Sequence, residues 1–130
     1  MVSQTIWKGL LDKELIIYGD GTQRRDLTNI ADVVSANMLA AKSKENGIFN
    51  VGTGISYSFN QIIEMVGNAM GKKIKTRNIE NPLKNYVDIV HADTKKSMEK
   101  LGFSANIKPE EGINAALDYY KKLKKVPDIF

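Results

Sequence analysis

The stretch LIIYGDGTQRRDLTNIADVV, Leu15 to Val34, decides how this chain is read. Leu15 to Tyr18 is a short apolar run that reads as a buried strand, stopped by Gly19. Gly19 and Gly21 flank Asp20, and this is turn chemistry. Arg24 and Arg25 follow at once. A planar guanidinium can donate two parallel hydrogen bonds to phosphate oxygens. IYGDGTQRRD is therefore either an ordinary turn between two strands or half of an anion-binding site. Asp26 to Ile30 reads as a second short strand. Asp32 then caps a helix running to about Lys44, with Val33, Val34, Asn37, Met38 and Ala41 along one face, and Asn46-Gly47 breaks it.

Outward from this stretch, helices alternate with short strands. Upstream, Ile6, Leu10 and Leu11 fall at helical spacing within Ser3 to Asp12. Downstream, Ile48 to Val51 reads as a strand, and Gly52-Thr53-Gly54 turns the chain. Ser58-Phe59-Asn60-Gln61 fits a capping box, opening a helix with Phe59, Ile62, Ile63, Val66 and Met70 on one face and Gly71 at its end. Lys73 to Arg77 alternates as a strand would, Asn81-Pro82 starts a loop, and Tyr86 to Val90 reads as extended. Asp93 or Thr94 caps a short helix holding Met98 and Leu101 and ending at Gly102. Pro109 suits the first turn of a last helix that buries Ile113, Ala116, Leu117 and Tyr120. The pattern predicts one α/β (mixed α+β) domain over residues 1–130, with four to five helices and strands too few and short for a complete doubly wound sheet.

Composition narrows the function. The chain has 130 residues, no cysteine and one histidine, His91, which excludes disulfides, thiolate catalysis and Cys- or His-rich metal sites. No apolar run approaches the ~20 residues needed to span a bilayer. The N-terminal MVSQTIWKG lacks the layout of a signal peptide. A cytoplasmic protein is expected. The formal charge of +4 is modest, and much of it sits in Lys121 to Lys125, where lysines complement a helix end. Nucleic-acid binding would want a longer basic stripe. Gly19-x-Gly21 and Gly52-x-Gly54 both lack the third glycine of a dinucleotide fingerprint. The one Tyr-x-x-x-Lys match, Tyr120 to Lys124, lies on the apolar face of a lysine-rich last helix and reads as chance.

Four segments taken in order, LIIYGDGTQRRDLTNIADVV, IFNVGTGISYSFNQIIEMV, HADTKKSMEKLGF and IKPEEGINAAL, resemble the C-terminal half of the nucleotide-sugar epimerases and dehydratases, the extended short-chain dehydrogenases. The resemblance covers almost the whole chain. It implies a small domain that grips the diphosphate of a nucleotide sugar, while a separate Rossmann half holds NAD or NADP and the catalytic Tyr and Lys. It further implies that no catalytic or cofactor-binding residue lies in this sequence.

The resemblance places Arg25 on the substrate diphosphate, and Tyr18 with the backbone of Ile17 against the nucleotide base. Tyr18 as a strand-end core aromatic remains the alternative. Asp26 either orients Arg25 or caps a turn. Arg24 reads as a solvated charge, the NVGTG segment as a structural turn with Asn50 bonding backbone, and His91 as an exposed residue without a catalytic partner. Many relatives carry Arg-Pro-Gly-Asp where this chain has Asn81-Pro82-Leu83-Lys84, so Lys84 stands in as a point charge without arginine's fork. Leu27 and Ala31 also depart from the common pattern.

The expected function is thus the substrate-binding part of an NAD-dependent epimerase or dehydratase, cut from or expressed apart from its Rossmann half and unable to transfer hydride alone. A non-catalytic nucleotide-sugar-binding module and a purely dimerising domain are the competing readings. Apolar surface left bare by the missing half predicts a homo-oligomer, a dimer at least, or a Rossmann-containing partner.

Overall fold

A computed structural model describes residues 1–123. Among them are five helices and five short strands in mixed order, the α/β pattern expected. The elements are α1 (Val2–Leu10), β1 (Leu15–Tyr18), β2 (Arg24–Asp26), α2 (Ile30–Lys42), β3 (Ser56–Ser58), α3 (Phe59–Met70), β4 (Thr76–Ile79), β5 (Ile89–Val90), α4 (Lys95–Leu101) and α5 (Pro109–Lys122). They divide into two compact units: residues 1–23, 58–88 and 110 onward, and residues 24–57 with 89–109.

The first unit is built on β1 and β4, which pair in parallel from Leu15 opposite Thr76 to Tyr18 opposite Ile79. Strand alternation turns Leu15 and Ile17 inward and Ile16 and Tyr18 outward. Ile6, Leu15, Val66, Ile74, Ile113 and Leu117 form the core. Full burial of side chains this size contributes about 1.5–3 kcal/mol each. Trp7 packs its ring 5.2 Å from that of Tyr120. The expected capping box is present: Ser58 Oγ accepts from the Gln61 amide, and Gln61 Oε1 accepts from the Ser58 amide. Gly71 closes α3 in the left-handed conformation at φ 65°.

The second unit orders its strands β3-β2-β5, with β2 and β5 parallel. Its core is narrow: Ala36, Leu101 and Phe103, flanked by Leu39, Phe49, Val51 and Ala105. That narrowness leaves the expected apolar stripe of α2 outside the core. Val34 and Met38 are exposed, Val33 only half-buried, and the buried side runs through Asp32 and Ala36. Apolar periodicity located a stripe correctly, but nothing in the described residues covers it. The helix also starts earlier than expected. Asn29 is its cap, accepting from the Ala31 amide at 2.9 Å. The Asp32 carboxylate instead receives the amides of Asn106 (3.0 Å) and Ile107 (3.2 Å).

Three strand positions shift. The second strand is Arg24–Asp26 rather than 26–30, the Lys73–Arg77 strand forms at Thr76–Ile79, and only Ile89–Val90 of 86–90 pairs. Ile48–Val51 forms no strand. Lys96 Nζ donates to the Ile48 carbonyl at 2.9 Å and sits 4.7 Å from the Phe49 ring centre, and the Ile48 side chain is 86% exposed. The sequence is strand-like, but among the described residues no strand pairs with it to complete a ladder. The last helix begins at Pro109 as expected. Lys124, half of the Tyr120–Lys124 match, lies outside the described residues.

Candidate functional site

The turn IYGDGTQ closes on itself. Gly19 and Gly21 sit at φ 72° and 78°, the left-handed region glycine enters freely. The Gly19 amide donates to the Ile79 carbonyl at 2.8 Å, and the Asp20 carboxylate takes both the amide (2.9 Å) and the hydroxyl (2.6 Å) of Thr22. Those bonds hold the exposed Asp20 carboxyl below the usual carboxylate range, the Thr22 hydroxyl contributing most. Gln23 Nε2 donates to the Tyr18 carbonyl at 2.6 Å. The Asn60 amide meets the Gly21 carbonyl at 3.1 Å, and the Phe59 amide meets the Gln23 carbonyl at 3.0 Å. The loop is a rigid corner that fixes the end of β1 against the start of α3.

Beside that corner lies a cleft of about 370 Å³. Ile17, Tyr18, Phe59 and Tyr86 supply its apolar and aromatic walls, while Gln4 and Lys8 reach it from α1. Tyr18 is 38% exposed at this cleft, so it is not a core aromatic, whereas Ile17 is 3% exposed. A larger groove of about 530 Å³ runs between α3 and β4, and of the expected site residues only Ile17 lines it. The structure thus brings Ile17 and Tyr18 together at the smaller cleft. Lys84 belongs to the same unit but is exposed on its loop and does not line the cleft. Gln4, Lys8 and Phe59 escaped sequence reading in this role. The first two sit on the polar side of a helix, where residue type alone does not distinguish a cleft from solvent.

Arg25 lies in the second unit, half-buried on β2 opposite Val90, and its Nη1 donates to the Arg24 carbonyl at 2.7 Å. Arg24 is not a solvated charge. Its guanidinium bonds the Ser56 hydroxyl at 3.1 Å and the Ser56 carbonyl, tying β2 to β3.

Asp26 is the hub of this unit. Its carboxylate accepts the Thr53 hydroxyl (2.7 Å) and amide (3.0 Å), the Gly54 amide (2.9 Å), the Ala92 amide (3.3 Å) and the Thr28 hydroxyl (3.1 Å). Burial pushes the Asp26 pKa up. The hydrogen bonds from the Thr53 side chain, then from the backbone of Thr53, Ala92 and Gly54, outweigh it and hold the group below its ordinary value. One carboxylate therefore explains three motifs at once: the RD pair, the GTG turn and the HAD segment. Gly52 packs against it closely enough that a Cβ there would stand 2.8 Å from Asp26 Oδ2. Asn50 Nδ2 bonds the Asp93 carbonyl at 3.2 Å, and His91 is exposed.

These commitments also decide whether either glycine turn fits a dinucleotide. Pyrophosphate needs amides free to point at it. The Thr53 and Gly54 amides are spent on Asp26, and those of Gly19 and Thr22 on Ile79 and Asp20. These four amides are therefore not free to face a pyrophosphate.

A mixed α/β chain with a rigid glycine corner at the head of an aromatic cleft, and a carboxylate clasp behind its arginine pair, is the class defined by fold and site. The family model described as GDP-mannose 4,6 dehydratase matches residues 1–116, and the chain belongs to this family of sugar-nucleotide epimerases and dehydratases. It is 33% identical over 121 residues to a putative UDP-glucose 4-epimerase of Methanocaldococcus jannaschii, covering 93% of this chain and 39% of that one. It is 36% identical to a UDP-glucuronate 4-epimerase of Thermodesulfobacterium geofontis, covering 85% of this chain and 34% of the relative. The structure of a UDP-glucuronic acid 4-epimerase from Bacillus cereus, in complex with UDP-glucuronic acid and NAD, superposes with a TM-score of 0.85 at 31% identity, over 94% of this chain and 40% of that one. The chain thus spans well under half the length of these relatives.

Proposed function

We propose that this chain grips the nucleotide diphosphate of a sugar nucleotide, a UDP-sugar first, within an NAD-dependent epimerase or dehydratase. The observation that carries the reading is the cleft beside the glycine corner, where Ile17 and Tyr18 of the family motif meet Phe59 and Tyr86 around a space large enough for a nucleoside. Aromatic walls suit stacking on a base. Arg25 is the residue for the diphosphate, its guanidinium carried on a strand that the Asp26 clasp holds in place, and Lys84 adds charge from its loop.

Hydride transfer needs a nicotinamide next to a Tyr/Lys pair; this sequence has no three-glycine fingerprint, and its one Tyr-x-x-x-Lys match, Tyr120 to Lys124, is the chance match of a lysine-rich tail. The chain's own share is to bind and orient, and catalysis belongs to the greater length its relatives possess. The bare stripe of α2, with Ile30, Val34 and Met38 all more than half exposed, supports a Rossmann-type half as its natural cover and a second copy as the substitute. No helix among the described residues is long and apolar enough to cross a membrane. Cytoplasmic sugar-nucleotide metabolism is the setting this reading implies.

Calorimetric titration with UDP-, GDP-, ADP- and dTDP-sugars, beside an Arg25→Ala variant, tests the proposal. Binding of a UDP-sugar that Arg25→Ala abolishes is the expected result. Binding that the variant leaves intact removes Arg25 from the site, and binding of none of the four returns the chain to a scaffold or dimerising role.

A further inference from the structure

Gln4 and Lys8 stand one turn apart on α1, and both line the tyrosine cleft. Neither side chain has a hydrogen-bond or ion-pair partner among the described residues. The backbone at the end of β1 is already engaged: the Tyr18 carbonyl accepts from Gln23 and the Gly19 amide donates to Ile79. An ammonium can only donate, and a phenol carries a single rotatable proton. Gln4 supplies the cleft's one carboxamide, an N–H donor beside a C=O acceptor.

Resting on the reading of this cleft as the base site, we propose that Gln4 recognises the edge of the nucleobase. A uracil ring stacked on the aromatic wall presents an N–H next to a carbonyl, and a carboxamide meets both with two parallel hydrogen bonds. Gln4 is then a specificity-determining residue, acting on the base and not on the sugar or the phosphates. It is supplied by the helix that precedes the glycine motif, and no family motif singles it out.

The test is a titration of the whole chain with uridine and with UDP, followed through the amide resonances of Tyr18 and Tyr86. The comparison is Gln4→Met, which keeps the side chain's length and removes both hydrogen bonds. Both ligands should weaken by about the same factor, tenfold or more, since two neutral hydrogen bonds are lost. Gln4→Glu, which keeps the shape and removes the donor, should weaken uridine as well and serves if the first variant folds poorly. Affinities unchanged within about twofold overturn the role of Gln4 while leaving the cleft reading intact. A loss for UDP but not for uridine overturns it too, by moving Gln4 to the phosphates. If neither ligand perturbs Tyr18 or Tyr86 in the unaltered chain, the cleft reading falls and this inference with it.

Discussion

Replacing Asp26 by asparagine changes one oxygen to an amide nitrogen and leaves shape and volume almost untouched. The hub cannot absorb it. Gly54 and Ala92 both direct their amides at Oδ2, while the hydroxyls of Thr28 and Thr53 are directed at Oδ1. With the NH2 on the Oδ2 side, the Gly54 and Ala92 amides would face a donor; on the Oδ1 side the two hydroxyls can turn to accept it, but every remaining bond still loses its charged acceptor. Hydrogen bonds to a charged acceptor contribute about 1.5–3 kcal/mol each, the lower end applying to a half-exposed group. Neutral bonds contribute about 1 kcal/mol each, so the lost charge at four or more bonds gives Asp26→Asn a cost of about 2 kcal/mol, a sizeable part of a typical 5–15 kcal/mol stability. Urea unfolding at pH 7 measures it, and hydrogen exchange at Thr53, Gly54 and Ala92 locates it. The pH dependence has a definite sign. The folded Asp26 pKa is depressed, so its contribution is complete above the unfolded carboxylate value of about 3.9 and is lost as pH falls through the folded value. The gap between the two proteins should therefore close in acid. A difference below about 0.5 kcal/mol at pH 7, or one that persists undiminished at pH 2, refutes the clasp.

Gly21→Ala should destabilise by about 1–3 kcal/mol, because φ 78° is unfavourable for any L side chain and the new methyl would stand 2.3 Å from Asn60 Oδ1. Thermal melts check it, and a variant as stable as the parent would show that the corner is pliable. The chain alone should sediment as a dimer or larger at high concentration, with Val34→Glu and Met38→Glu together shifting it to monomer. A monomer throughout would remove self-association as the cover for α2.

Much of the fold was legible because its signals are local. Ser58 and Gln61 satisfy each other within one turn, Gly71 and Pro109 mark helix ends by their own backbone limits, and LIIY is strand in any setting. What escaped depends on partners distant in sequence. Asp32 looks like a cap but serves Asn106 and Ile107, and Asn29 caps in its place. Asp26 serves backbone amides, which carry no side-chain signature in a sequence. The apolar face of α2 was visible as periodicity, but periodicity does not say whether a covering surface is within the same 130 residues. In the candidate site, Tyr18 and Ile17 were readable through a motif, while Gln4 and Lys8 needed the packing of α1 beside β1 to bring them to the cleft.

The hydrogen bond between the Gln23 carbonyl and the Phe59 amide, 3.0 Å long, has a topological meaning. The first unit releases the chain at Gln23 and takes it back at Ser58, so the excursion from Arg24 to Tyr57 has its two ends pinned together by this one backbone bond. Length changes inside the excursion leave the distance across that bond unaltered. An insertion in the exposed bend at residues 44–47 should therefore leave the tyrosine cleft of the first unit in place.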